Sequence, residues 1–233
     1  MKKKNPILFY QLFAMGFLLI LTNGCKKDDP NSPIETGTVT DIDGNVYHTV
    51  TIGTQTWMAE NLKVTKYRNG DSIPNVTDGD EWYHLSTGAY CDYENTASNS
   101  SVYGKLYNWY AVADSRDIAP NGWHVASNAE WTTLTTYLVG EDVAGGMLKE
   151  KGTAHWLSPN EGATNETGFS ALPGGYYYGG SFGGLGSYGS WWSSTEYSSD
   201  DRAWHRTVNS IYGRMGRSYY YQSSGFSVRC LKD

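Results

Sequence analysis

Aromatic side chains crowd the C-terminal third of this 233-residue chain, as Tyr176-Tyr-Tyr178, Trp191-Trp192, Trp204 and Tyr219-Tyr-Tyr221. Flat rings of this kind can stack on the faces of sugars, and the Asn, Ser and Arg residues among them can supply hydrogen bonds. Consecutive side chains on a strand point to opposite faces, so only some of these rings can belong to a core. The candidate ligand surface is Tyr176, Tyr178, Trp191, Trp192, Trp204 and Tyr220. The plainer alternative packs Trp191 or Trp192, and most of the tyrosines, inside.

Other spellings point to catalysis and fail on context. Gly179-Gly-Ser-Phe-Gly183 has the letters of a hydrolase nucleophile elbow, and Gly184-Leu-Gly-Ser-Tyr-Gly189 those of a dinucleotide loop. Both motifs work only between a strand and a helix, where the turn exposes a strained serine or aims a helix N-terminus at pyrophosphate. Tyr176 to Tyr188 is nearly all Gly, Tyr, Ser and Phe, so these letters arise from composition and a mobile glycine loop is expected. The five histidines, His48, His84, His124, His155 and His205, are far apart, and none has a His or Cys neighbour at three or four residues. Asp41-Ile-Asp-Gly-Asn45 is similar to part of a calcium loop but lacks the closing Glu, and a hairpin turn explains it. Acid pairs such as Asp78 with Glu81, or Glu161 with Glu166, could serve a glycosidase only at a separation of about 5 to 10 Å, and solvated loops account for them. No catalytic residue and no cofactor is expected; calcium, if it binds, has no motif here.

The chain ends say where such a surface would work. Lys2, Lys3 and Lys4 precede an apolar run, Ile7 to Leu21, broken only by Gln11. This is the pattern of a secretory leader, too short to span a bilayer as a helix, which needs about 20 residues. Cys25 follows at the end of that run and resembles the acylated cysteine of bacterial lipoproteins. Residues 1–24 are then the leader, and residues 25–38 the acylated cysteine and a flexible tether, with Pro30 to Thr38 rich in Pro, Ser, Gly and Thr. Lys26-Lys-Asp-Asp29 looks like the signal that sends Bacteroidetes lipoproteins to the outer face of the outer membrane. Contact with the membrane is expected through the lipid alone. Losing Lys2, Lys3 and Lys4 with no acid takes the formal charge from −6 to −9, which argues against a nucleic-acid partner. With Cys25 acylated, Cys91 and Cys230 remain, natural disulfide partners in an oxidising compartment. A bridge closing so long a loop would contribute about 4 to 5 kcal/mol in chain-entropy models; the alternative is two buried thiols.

The positioning elements belong to one domain, residues 39–233, whose 9 Trp, 19 Tyr and 27 Gly across the chain imply an aromatic core with long connections. Alternation over Val46 to Ile52, between turn dipeptides, predicts a strand in a hairpin with Gln55 to Met58. No helix is indicated from Lys63 to Ser100. Leu106, Trp109, Tyr110 and Ala113 share a helical face, predicting a helix over Tyr103 to Ala113. Ser127 with Glu130 makes a capping box for a second helix, with Trp131, Leu134 and Leu138 on its apolar face and Gly140 at its end. Asp142 to Lys151 reads as a third, weakened by Gly145 and Gly146. Gly225 to Leu231 reads as a central strand. Without repeating βαβ units the class is α+β.

Several segments together resemble the Fibrobacter succinogenes major paralogous domain. They are Asp41-Ile-Asp-Gly-Asn45, Thr56-Trp-Met-Ala-Glu-Asn-Leu62, Tyr103-Gly-Lys-Leu-Tyr-Asn-Trp-Tyr110 and Gly122-Trp-His-Val125 leading to Glu130-Trp131. Leu172-Pro-Gly-Gly175, Trp191-Trp-Ser-Ser-Thr-Glu196 and Gly225-Phe-Ser-Val-Arg-Cys230 continue the match. That family is similar in turn to the sulfatase-modifying-factor group, a variant of the C-type lectin fold. The resemblance implies an antiparallel β core, two to three helices and long irregular loops. Formylglycine-generating members of the neighbouring group use two nearby cysteines close to the C-terminus, where this chain has only Cys230. The expectation is therefore a surface lipoprotein acting as a non-catalytic binding module for glycans or a partner protein. An extracellular enzyme acting on polysaccharide and a purely structural envelope component are the alternatives.

Overall fold

The computed structural model describes residues 36–198 and 200–233. Cys25 and the leader lie outside the described residues. The first strand, β1 (Thr36–Thr40), begins inside the stretch expected as tether, because it pairs along its whole length with β2 (Val46–Ile52). Asp41 forms the turn between them: its Oδ1 accepts the N–H groups of Asp43 and Asn45, and Tyr47 donates its hydroxyl to Oδ2. That is the expected hairpin turn. The second hairpin joins β2 to β3 (Gln55–Met58), with the bounds read from the alternation.

The central part of the chain departs from expectation. A short helix α1 (Gly79–Tyr83) is started by Asp78, whose carboxylate accepts two backbone N–H groups, and α2 (Ala97–Tyr103) follows. Both lie at least partly where no helix was expected. The helix predicted over Tyr103 to Ala113 is broken. Gly104 adopts a left-handed φ of +77°, and a Cβ there would come within 2.6 Å of Asn61. The next residues form β5 (Leu106–Tyr107), paired with β4 (Tyr90–Cys91), and only α3 (Trp109–Val112) is helical. Leu106 and Trp109 are buried by a strand and a helix in turn, so a correct apolar count gave the wrong element.

After β6 (Trp123–Val125) comes α4 (Asn128–Tyr137), with the Ser127 and Glu130 capping box in place. Gly140 caps α5 (Glu141–Leu148). Then β7 (Gly174–Tyr178) and β8 (Ser181–Leu185) form one hairpin, β9 (Tyr188–Ser198), β10 (Arg202–Asn209) and β11 (Tyr212–Tyr221) form two more, and β12 (Cys230–Lys232) follows. One sheet has the order β1-β2-β3-β12-β6, so the last strand is central, though shorter than Gly225 to Leu231. The other is β11-β10-β9-β7-β8. Neighbours are antiparallel except β7 with β9. The architecture is α+β. The expected mobile glycine loop is the ordered β7–β8 hairpin. Ser181 lies on a strand opposite Tyr178, with no helix following, so no elbow forms.

Burial on both faces of β9 overturns part of the aromatic reading. Trp191 and Trp192 are each 0% exposed. Trp192 packs on one face with Phe226 at 4.5 Å and donates its indole N–H to the Tyr107 carbonyl. Trp191 packs on the other, with Trp131, Phe169, Trp57 and the apolar side of α4. Burying a large apolar side chain stabilises the fold by about 1.5 to 3 kcal/mol, and both rings are spent on the core.

The expected disulfide is absent. Cys91 and Cys230 are both free and buried. Cys91 sits among Trp82, Leu106 and Tyr177, whereas Cys230 packs with Tyr47, Met58 and Trp123 in a different cluster. Burial pushes both thiols well above their ordinary range, where thiols are inert.

Candidate functional site

The outer face of the β9–β11 hairpins carries the exposed rings. Register sets Trp204 opposite Tyr219, Arg202 opposite Tyr221 and Arg206 opposite Arg217. Alternation then puts Arg202, Trp204 and Arg206 of β10 on one face with Arg217, Tyr219 and Tyr221 of β11. Helices α4 and α5 cover one end of this face, burying Val208 and Met215. Arg206 is fully buried there, bonded to Glu141 at 2.6 Å and to Thr132 at 2.8 Å. Past the start of α4 the face is open.

At the open end Tyr197 and Tyr219 lie stacked, with centroids 3.8 Å apart and planes 12° from parallel. Trp204 meets Tyr197 edge-on at 4.9 Å and Tyr219 at 5.9 Å. The Arg217 guanidinium lies 4.0 Å over Trp204, and its Nε donates to Asn128 Oδ1. Arg202 approaches the rings of Tyr219 and Tyr221 at 5.5 and 5.3 Å. Tyr178, at the end of β7, lies nearly parallel to Tyr221 at 6.2 Å. Tyr178, Tyr197, Tyr219 and Tyr221 are 37 to 44% exposed, so an aromatic ladder in two groups, Tyr197 with Trp204 and Tyr219, and Tyr178 with Tyr221, meets solvent, with Arg202 between Tyr219 and Tyr221. The Tyr197 hydroxyl is hydrogen-bonded to Tyr219, which raises its pKa.

Of the residues expected to bind, Trp204 lies on the ladder and Tyr178 at its end, where its nearest ring is Tyr220 at 4.9 Å. Tyr220 points to the opposite face, half-buried near Phe226 and His205. Tyr176 is half-buried beside Tyr188. Trp191 and Trp192 are core. Sequence reasoning missed Tyr197, Tyr219 and Tyr221 as ligand positions, and Arg202 and Arg217 with them. One signal was available, the alternation through Tyr219-Tyr-Tyr221, but choosing its face required the register.

The titratable groups build no second centre. His124 is bonded to carboxylates on both ring nitrogens, Asp233 at 2.7 Å and Glu130 at 2.9 Å, so both N–H groups of its charged form are already committed. His205 is buried among rings, and desolvation pushes it down to about 4. Among the described residues no group of three or more His, Cys, Asp or Glu side chains is placed to hold a metal ion. Two clefts, of about 170 and 300 Å³, are lined by residues such as Arg68 and Ile118 in one and Lys63 and Lys105 in the other; neither includes a ladder residue.

A family model of the Fibrobacter succinogenes major domain matches residues 50–232. The chain belongs to that family. No curated protein and no solved structure matches it significantly. Within the Fibrobacter succinogenes major domain the matched span holds β3, α4, β9 and the segment up to β12. The ladder of this member is therefore inside the family domain and not an appendage.

Proposed function

We propose that this family member is a non-catalytic binding module that engages glycans through the Tyr197, Trp204, Tyr219 and Tyr221 ladder. The supporting observation is the pair Tyr197 and Tyr219, stacked at 3.8 Å and open to water. Rings already ordered by each other and by Arg217 lose little freedom when a ligand arrives, so more of the contact energy appears as affinity. Sugars present flat C–H faces to such rings and hydroxyls to neighbouring guanidinium and amide groups. The same reading takes the body as C-type-lectin-like, in keeping with an antiparallel core, a central final strand and the helices α4 and α5. It takes the protein as a lipoprotein anchored through Cys25 in the outer membrane and facing outward, in keeping with the leader pattern and Lys26-Lys-Asp-Asp29.

The test is a glycan array with the purified full chain, followed by titration of any hit against Trp204→Ala and Tyr219→Ala. Loss of at least about tenfold in affinity, roughly 1.4 kcal/mol, is expected for each. Array silence together with saturable binding of a surface protein would move the ladder to protein recognition. Turnover of a polysaccharide that vanishes when one carboxylate is removed would make the chain an enzyme. Palmitate labelling that persists in Cys25→Ser would overturn the anchoring.

A further inference from the structure

Resting on the ladder as a sugar platform, we infer that its ligand is an anionic glycan, one bearing carboxylate or sulfate groups, gripped by Arg202 and Arg217. The argument begins with how the arginines are paired. Arg68, Arg116 and Arg206 each hold a carboxylate, at 2.9 Å or less for one of their contacts. Arg229 is enclosed in the core, bonded to Asn61 and to backbone carbonyls. Among the described residues the guanidiniums with neither a carboxylate nor a place in the core are those of Arg202, Arg214 and Arg217, and two of these bracket the ladder.

Their setting leaves their donors available. Arg217 spends only Nε, on Asn128 Oδ1, and lies flat on Trp204. Arg202 is set against the rings of Tyr219 and Tyr221. Asp200 and Asp201 precede it in the turn but form no ion pair with it. A guanidinium ordered against a ring keeps a rigid fork of N–H donors, which matches an oxyanion bidentately. In a chain of net charge −6, two unpaired cations beside stacked rings are complementary to a ligand that carries both a flat face and a negative charge. From Arg217 to Tyr221, the partner of Arg202, the strand advances about 13 Å at roughly 3.3 Å per residue. The Arg202 side chain reaches back to 5.5 Å from the Tyr219 ring, so both cations lie beside the Trp204 and Tyr219 rings. The negative net charge repels polyanions at long range, so recognition depends on contact at these two groups and not on electrostatic steering.

The experiment is calorimetry of the full chain with three oligosaccharides of matched length, one uronate-bearing, one sulfated and one neutral. Preference of at least about tenfold for either acidic ligand is expected, and the better of the two names the anion. Arg202→Gln and Arg217→Gln should each lose about tenfold more affinity for the acidic ligand than for the neutral one, so that the acidic preference collapses, and Arg217→Lys should not restore it. Unchanged melting temperatures would show that these surface variants still fold. Equal affinity for acidic and neutral oligosaccharides, with Trp204→Ala abolishing both, overturns the anionic inference and leaves the stacking platform standing. Binding of none of the three overturns the platform and the inference together.

Discussion

Arg229 donates through Nε to Asn61 Oδ1 across 2.6 Å, in full burial, and the two residues form a polar hub where the β3 and β9 regions and the final strand meet. The same Asn61 oxygen accepts the Trp191 indole N–H at 2.8 Å, while its amide donates to the Tyr103 carbonyl. Arg229 donates further to the carbonyls of Met58, Phe169 and Ser170. A buried charge stripped of a partner keeps its full desolvation cost. Asn61→Leu should therefore destabilise the protein by about 3 kcal/mol, read as a lower urea midpoint with an unchanged slope. A cost below about 1 kcal/mol would mean that backbone carbonyls alone satisfy the guanidinium.

Gly145 permits α5 to lie directly on β11. A Cβ at that position would sit 2.4 Å from the Arg214 carbonyl oxygen. Alanine is favoured over glycine in a helix by about 1 kcal/mol, whereas overpacking against backbone costs about 1 to 3 kcal/mol. Gly145→Ala should therefore lower the thermal midpoint by several degrees despite its better helix propensity. A raised midpoint would show that α5 can lift away freely.

This glycine also shows what could and could not be read from the chain. Gly145 and Gly146 count as helix weaknesses in one dimension and as contact surfaces in three. Local signals were legible: the Ser127 and Glu130 capping box, the Asp41 turn and the β2–β3 hairpin each depend on residues a few positions apart. What depends on layers was not. Trp191 and Trp192 both read as candidate ligand residues and both are core, because alternation is informative only when one face of a strand is wet, and β9 is covered on both. In Tyr219-Tyr-Tyr221 the alternation holds, but a one-residue change of register would exchange ladder and core, and β10 pairing decides it. The Cys91–Cys230 bridge failed because parity of cysteines carries no distance.

Two buried, separated thiols make a chemical prediction. Native protein should resist alkylation at Cys91 and Cys230, and unfolding should release both, counted apart from any label at Cys25. A reducing agent should leave the melting temperature unchanged. A non-reducing digest that yields a peptide joining Cys91 to Cys230 would restore the bridge.

His124 ties β6 to the start of α4 and to the last residue, Asp233, and its charge sets a pH window. Burial opposes the imidazolium, but the hydrogen bonds it donates to Asp233 and Glu130 outweigh that, so the pKa is raised above 6.5. Burial likewise opposes the Glu130 carboxylate, and its bonds to Ser127 and His124 outweigh that and lower its pKa below 4.5. A base whose pKa is raised by folding contributes its full stabilisation below its unfolded pKa and loses it as pH rises through the folded value. The acid does the reverse: its contribution is complete above its unfolded pKa and is lost as pH falls through its lowered folded value. The clamp is thus strongest in mildly acidic solution, where His124 is charged and Glu130 ionised. Thermal melts from about pH 5 to about pH 9 should show the wild-type advantage over His124→Gln shrinking with rising pH across the neutral range, where histidine titrates. An advantage independent of pH would mean that the imidazolium charge contributes nothing and that His124 acts through packing alone.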